Sequence, residues 1–381
     1  MKKITKILGI LFLFLAVAGV YTSCKKDNDS SSVGARIDYV RITAPQSSDS
    51  LLVGAGQGQL IAIIGDNLQS AVEIWFNDQK AVLTPTYITK TTILVGVPTR
   101  IPLAINNTMK IIFSDGKELL HAFVTQISKP VVNNMLSEFV NTGAVATIRG
   151  NYFYLPLTVT FTGGVTGIIA SVAEQEIKVT VPAGALPGPI TIKTNFGEVK
   201  SNFWFRDNRG TFISGDPHEG WWATYLVTNP GPNDPPKISG NYYRFKKMVS
   251  AWTWDSPEVA GGAASSNSQS KNIPDAAIIK PEDYNLKFEI NTLKPYTSNA
   301  IRFNVALAVE DNNNYIWQPP YDSKGVWNTV IIPFEQVVAS YAVKPVINPA
   351  GYWTRILIFG PGNLDADISF DNFRVVPKIS R

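Results

Sequence analysis

Ile61-Ala-Ile-Ile-Gly-Asp-Asn67 is answered further along the chain by Ala146-Thr-Ile-Arg-Gly-Asn-Tyr152. Each is a β-branched run that stops at Gly followed by Asn or Asp, the residues that tolerate a left-handed turn. The correspondence continues outward. Ala71-Val-Glu-Ile-Trp-Phe-Asn-Asp78 pairs with Leu157-Thr-Val-Thr-Phe-Thr-Gly163, and Thr92-Ile-Leu-Val-Gly-Val-Pro98 pairs with Glu176-Ile-Lys-Val-Thr-Val-Pro182. Each copy closes on a polar hairpin, Met109-Lys-Ile-Ile-Phe-Ser-Asp-Gly116 and Ile190-Thr-Ile-Lys-Thr-Asn-Phe-Gly197. The copies are offset by about 81 to 85 residues, which is the length of a domain rather than of a solenoid unit. Short alternating runs punctuated by Gly, Asn and Pro predict two small two-sheet sandwiches, residues 36–127 and 128–206.

The Gly-Asn/Asp turn, the Val-x-Phe strand and the Val-x-Val-Pro strand resemble the immunoglobulin-like IPT/TIG domain. That resemblance implies a fold and no chemistry, since such domains serve as extracellular spacers. Trp75 and Trp204 sit in strand-like runs and read as packing residues. Pro130 suggests a short, stiff joint between the copies, and Asp207 to Gly210 the joint to the last domain.

From 207 to 381 the texture changes. Seven of the nine tryptophans lie there: Trp221, Trp222, Trp252, Trp254, Trp317, Trp327 and Trp353. Strand-like runs occur at 241–247, 285–291, 301–309, 326–333, 353–359 and 368–376, with one short helical turn near Phe334 to Ser340. The expectation is all-β throughout, ending in a jelly-roll sandwich.

Strand alternation separates the faces of that sandwich. Ile301, Phe303, Val305, Leu307 and Val309 form an inward file, leaving Arg302, Asn304, Ala306 and Ala308 outside. Leu286, Phe288 and Ile290 point inward, with Lys287 and Glu289 outward. In 352–360 a core built on Ile356 and Ile358 leaves Trp353 and Arg355 outside; Leu357 and Phe359 offer the opposite choice.

An exposed Trp beside Arg and Asn suits a sugar. The axial hydrogens of a glucose-like ring present an apolar face that lies on indole, while the hydroxyl rim takes guanidinium and amide partners. The candidate ligand-binding set is Trp252, Trp254, Trp317, Trp353, Arg355, Asn304, Tyr321 and Trp221. Trp252 and Trp254 are either a core pair or a two-sugar platform, and at most one of Trp221 and Trp222 faces a groove. Trp327 reads as scaffold, and Tyr242 and Arg244 share the face opposite Tyr243 and Phe245.

At the other end, Lys2, Lys3 and Lys6 precede an apolar run from Leu8 to Val20, too short to span a bilayer comfortably. This reads as a signal over 1–23, with Cys24, the chain's single cysteine, as a lipidation candidate at the head of a tether over 24–35. Removal of the signal takes the formal charge from +4 down to +1, so no basic surface remains for nucleic acid.

Catalysis is poorly supplied. A glycosidase needs two carboxylates facing one sugar, and Glu289 and Asp371 are candidates only by existing. His121 and His218 are the only histidines, which argues against metal or triad chemistry.

Signal, lone Cys, the charged Lys25-to-Asp29 tag, two IPT-like domains and an aromatic-rich sandwich together resemble the B-type surface glycan-binding lipoproteins of Bacteroidetes. The resemblance implies a lipid anchor facing outward on the outer membrane and a SusC/SusD-like importer as partner. It also implies non-catalytic capture of a β-glucan (xyloglucan, mixed-linkage or β-1,3-glucan) by the last domain. Such modules also admit a structural calcium, here near Asp371. The competing reading is a surface adhesin or transporter scaffold without glycan affinity.

Overall fold

The computed structural model describes residues 34–379, apart from 48, 219–222, 254–257, 262–268, 271–272 and 309–312. Two compact units make up the chain, one ending at Ser128 and the other running from Lys129.

In the first unit, Arg36–Ile42, Leu60–Asp66 and Thr92–Gly96 form a three-stranded sheet. It faces a four-stranded sheet of Gln79–Lys80, Ala71–Phe76, Thr108–Phe113 and Glu118–Ala122. Alternation decides what is buried: Ile93 and Val95 from one sheet meet Met109, Ile111 and Phe113 from the other. The second unit opens with a sandwich of the same plan. Val131–Met135, Val145–Asn151, Glu176–Thr180 and Ile168–Ala173 pack against Val165–Thr166, Leu157–Phe161, Thr191–Thr194 and Gly197–Lys200.

The repeated glycine has a steric cause. A Cβ at Gly65 would stand 2.0 Å from the Arg36 carbonyl oxygen, and one at Gly150 would stand 1.9 Å from that of Val131. In both copies the first strand slips register against this glycine-bearing strand, between Ile37 and Tyr39 and between Val132 and Asn134. The chain then turns at positive φ, Asn67 at 58° and Tyr152 at 62°. A close backbone approach followed by a left-handed turn explains why the motif recurs.

The last domain is a larger two-sheet sandwich. One sheet orders Leu226–Val227, Tyr242–Val249, Leu364–Pro377, Tyr284–Thr292 and Asn328–Pro333, with Thr211–Ile213 also on the long strand. The other orders Glu258–Gly261, Tyr352–Ile358, Ile301–Leu307 and Tyr315–Trp317, with Gln269–Ser270 also on Tyr352–Ile358. Leu286, Phe288, Ile290, Ile301, Phe303, Phe370 and Phe373 meet between them. The anticipated helical turn is the helix Phe334–Ala339.

Lys287 and Glu289 point away from that core as the period requires, yet both are buried. The second sandwich covers them. Glu138 accepts from Lys287 Nζ at 2.6 Å and from Arg374 Nη2 at 2.7 Å. Arg374 also reaches Glu289 at 3.0 Å, and Glu289 accepts from the hydroxyls of Ser137 and Thr329. Two backbone links reinforce the seam: Glu138 N–H to Thr329 Oγ1 at 2.7 Å, and Thr329 N–H to Leu136 O at 2.8 Å. Beside the charges Phe139, Ile238, Tyr242 and Trp327 form a small apolar cluster. Arg244, on the face opposite Phe245, is buried and paired with Asp367 at 2.7 Å and with Asp234. Asp207, placed in a joint, is buried and holds Arg209 at 2.8 Å.

Removing one member of such a network strands the others in low dielectric. Arg374→Met leaves Glu138 and Glu289 buried with less compensation and should lower unfolding free energy by about 3–5 kcal/mol. Urea denaturation of the full chain checks this; a loss below about 1 kcal/mol would mean the seam is wet.

Candidate functional site

The outer face of the five-stranded sheet is set by two register pairs, Arg302 opposite Leu357 and Asn304 opposite Arg355. These residues therefore share a face, while Ile301, Phe303, Ile356 and Ile358 share the core. Trp252 arrives from the turn after Tyr242–Val249. Its amide donates to Gly360 O at 2.9 Å, and its φ is 54°, a left-handed value that a bulky residue seldom adopts. Outliers of this kind concentrate at functional sites.

Trp252 is 56% exposed, and among the described residues it is the one tryptophan in open solvent. Phe359 meets it edge-on, with ring centroids 5.5 Å apart. The Arg302 guanidinium lies 5.9 Å from the Trp252 ring and 5.2 Å from Phe359, within cation–π range. Arg302 donates through Nε to Phe359 O at 2.5 Å and through Nη1 to Asn314 Oδ1 at 3.2 Å, so its plane is fixed. Burial, and secondarily the charge of nearby Arg355, lower the Arg302 pKa from its usual value; it remains a cation. No protein acceptor takes the Trp252 Nε1–H among the described residues. The result is a flat apolar ring with fixed donors beside it.

The other candidates divide. Arg355 is half-buried on this same face. Asn304 shares the face but is fully buried, its amide donating to the Asn313 carbonyl; it organises the loop rather than offering itself to a ligand. Trp353 corrects the alternation argument most plainly. It is 0% exposed and sits in the core cluster. The register slips between Asn304 and Leu307, Ala306 has φ of 65°, and Leu307 pairs with Trp353, so the period breaks at this end of the strand. Trp317 and Tyr321 lie together at the sandwich edge, half-buried, with rings 5.1 Å apart. Trp317 packs on Phe288 at 5.6 Å, and Tyr321 takes a bond from Asn328 at 3.2 Å. Trp221, Trp254 and Cys24 lie outside the described residues.

Strand alternation puts Arg302 in the outward file without placing it in the site, and it leaves Phe359 undecided. The signal for both was the shared outward file with Arg355.

Glu289 and Asp371, the two acids weighed for catalysis, are fully buried. Asp371 accepts from Ser239 at 2.9 Å and from the Asn372 N–H at 2.7 Å. Burial pushes its pKa well above the usual range, with these bonds opposing. No group of three or more acid, His or Cys side chains able to hold a metal occurs among the described residues, at Asp371 or elsewhere.

Comparison with known proteins places this architecture. Residues 205–377 match the family described as the surface glycan-binding protein B xyloglucan binding domain. A curated IPT/TIG domain-containing protein from Bacteroides ovatus is 32% identical over 102 residues, which is 26% of this chain and 20% of that protein. The match thus spans only a fifth of the relative's length. Among solved structures, the surface glycan-binding protein PbSGBP-B of Prevotella bryantii is 23% identical with a TM-score of 0.67, over 90% of this chain and 99% of that one. SGBP-B from a complex xyloglucan utilization locus in Bacteroides uniformis is 17% identical with a TM-score of 0.51, over the same shares. These two are likenesses of fold. Two IPT/TIG-like sandwiches thus stand ahead of a C-terminal domain that matches the surface glycan-binding protein B family, and the whole chain is similar in architecture to the B-type surface glycan-binding proteins.

Two expectations separate scaffold from surface. Trp252→Ala should shift unfolding free energy by no more than about 0.5 kcal/mol, whereas Trp353→Ala should cost about 3–5 kcal/mol by opening a core cavity; paired denaturation curves compare them. For Asp371, a raised folded pKa means its stabilisation is full below the unfolded value near pH 4 and is lost as pH rises through the folded value. Asp371→Asn should therefore be more stable than the parent at pH 7, the difference fading toward pH 4. Melting temperatures across that range measure it.

Proposed function

We propose that this protein captures an extracellular β-glucan at the outer-membrane surface without cleaving it, using the open face around Trp252. The observation that carries the reading is the solvent-facing indole, with Phe359 and the pinned Arg302 beside it, on the one domain that matches a glycan-binding family. Pyranose stacking on that ring displaces water from two apolar surfaces, and guanidinium and indole N–H meet the hydroxyl rim. Xyloglucan is the first ligand to test. The family description names it, and a structure of similar fold, 16% identical with a TM-score of 0.53, was determined with a xylogluco-oligosaccharide. Mixed-linkage and β-1,3-glucans are the next.

In this reading Cys24 carries the lipid that holds the chain at the cell surface, and a SusC/SusD-like importer receives the captured polymer. Trp254 and Trp221 remain proposed contacts by residue type, Trp317 and Tyr321 by their position at the sandwich edge, and Arg355 by its shared face. The burial of Glu289 and Asp371 leaves no acid pair of those weighed where a sugar could reach it.

Isothermal titration with xyloglucan, mixed-linkage glucan and laminarin identifies the ligand. Trp252→Ala should weaken binding to it by about 5- to 30-fold, the equivalent of about 1–2 kcal/mol. Absence of heat and of gel retardation with every polymer would overturn the reading and leave the adhesin or scaffold alternative.

A further inference from the structure

Trp204 lies between Phe203 and Phe205, both buried in the core of the second sandwich. The intervening indole is neither a member of that core cluster nor one of the residues packed against it. Sequence alone reads it as packing; the structure leaves it half-buried, off that core. The Arg209 guanidinium covers the ring at 3.6 Å from its centroid. Buried Asp207 holds that guanidinium by two bonds, at 2.8 and 2.9 Å. The ring is thus braced on one side, and its Nε1–H has no protein acceptor among the described residues. Trp75 in the first sandwich is the contrast: its Nε1–H is spent on Glu73 at 2.8 Å.

Trp204 borders a groove of about 680 Å³, within the roughly 300–1,000 Å³ typical of small-ligand clefts. Pro130, Pro189 and Val199 give the groove apolar walls, while Lys129, Lys200 and Asn202 bring polar groups to it. An indole braced by arginine, with an uncommitted N–H and amide and ammonium groups nearby, repeats the chemistry at Trp252 and Arg302 on a different domain. A lipid chain would have no use for these donors, and a protein interface would favour a flatter patch.

We propose that this groove is a second saccharide site, one that takes another stretch of the same β-glucan. The inference rests on the reading of the protein as a glycan binder. The second sandwich and the last domain form one compact unit joined by the buried ion pairs. A polymer that reaches both sites therefore engages the second from a fixed position and gains avidity. A short oligosaccharide fills one site at a time and gains none. The device sets a preference for chain length.

The test uses the full chain as parent, Trp204→Ala, Trp252→Ala, the double variant and Asn202→Ala. Each is titrated with polymeric xyloglucan and with its single-repeat oligosaccharide, or with the corresponding pair for whichever glucan the parent binds. Trp204→Ala should weaken polymer binding by about fivefold or more and leave oligosaccharide binding at the Trp252 face unchanged. Asn202→Ala should show a smaller loss on polymer alone. In the Trp252→Ala background, millimolar oligosaccharide should still perturb tryptophan fluorescence, and the double variant should give a smaller response than Trp252→Ala alone. Unchanged polymer affinity in Trp204→Ala and Asn202→Ala, beside a loss in Trp252→Ala, would overturn the second site and leave the function standing. A parent that binds no glucan would overturn both. Melting temperatures equal to the parent's exclude misfolding; should Trp204→Ala fail that control, Asn202→Ala carries the test.

Discussion

Glu138 belongs to the second sandwich, yet the cations that neutralise it, Lys287 and Arg374, belong to the last domain. Neither partner is accessible to water, so each domain alone would expose or strand charges that only the other satisfies. Ion pairs of this kind give less net stability than an apolar contact of equal size, because desolvation consumes much of the Coulombic gain. What they impose is geometry. Guanidinium and carboxylate meet only over a narrow range of orientations, and Thr329 locks that orientation by donating its hydroxyl to Glu289 and its amide to Leu136. A domain that resembles a spacer is thereby made a fixed wall of the binding domain.

The seam also sorts the tryptophans. Trp327 is drawn into it, its Nε1–H donating to Pro236 O at 2.8 Å and its ring edge-on to Tyr242. Trp353 fills the space between the sheets, and Trp317 closes the sandwich edge. An indole sealed in the core, as at Trp353, or buried with its N–H satisfied, as at Trp327, is a large structural residue. One left outside at a positive φ, with an arginine held over it, has no comparable contribution to stability, and that asymmetry singles out Trp252.

Much of the fold was legible because its signals are local. Gly65 and Gly150 mark a place where any Cβ would strike the neighbouring backbone, and such a constraint is written in one residue. The alternation in Thr92–Gly96 and Thr108–Phe113 is equally local. Period, however, reports only which side of a sheet a residue takes, not what covers that side. Lys287 and Glu289 were assigned to the correct face and yet are buried, because a separate domain lies on it. Trp353 failed for a different reason. A bulge moves the phase of a strand without leaving a distinctive sequence, and Ala306 in a left-handed conformation gives no warning. The candidate site was half legible: Arg302 and Arg355 could be placed from the outward file, but Asn304 in that same file is consumed by its own loop.

The openness of the Trp252 face fits what it is proposed to hold. A pocket that encloses a ligand gains affinity by burying most of its surface, but a polymer has no end to enclose, so only a face or groove open along its length can accept it. The loss per contact must then be recovered by number. A rigid pair of domains does this better than a flexible string, since contacts held at fixed spacing need no further ordering when the chain lies across them. On this view the buried charges at Glu138 serve binding indirectly: they spend stability on orientation, and orientation is what lets several weak indole contacts act on one polymer.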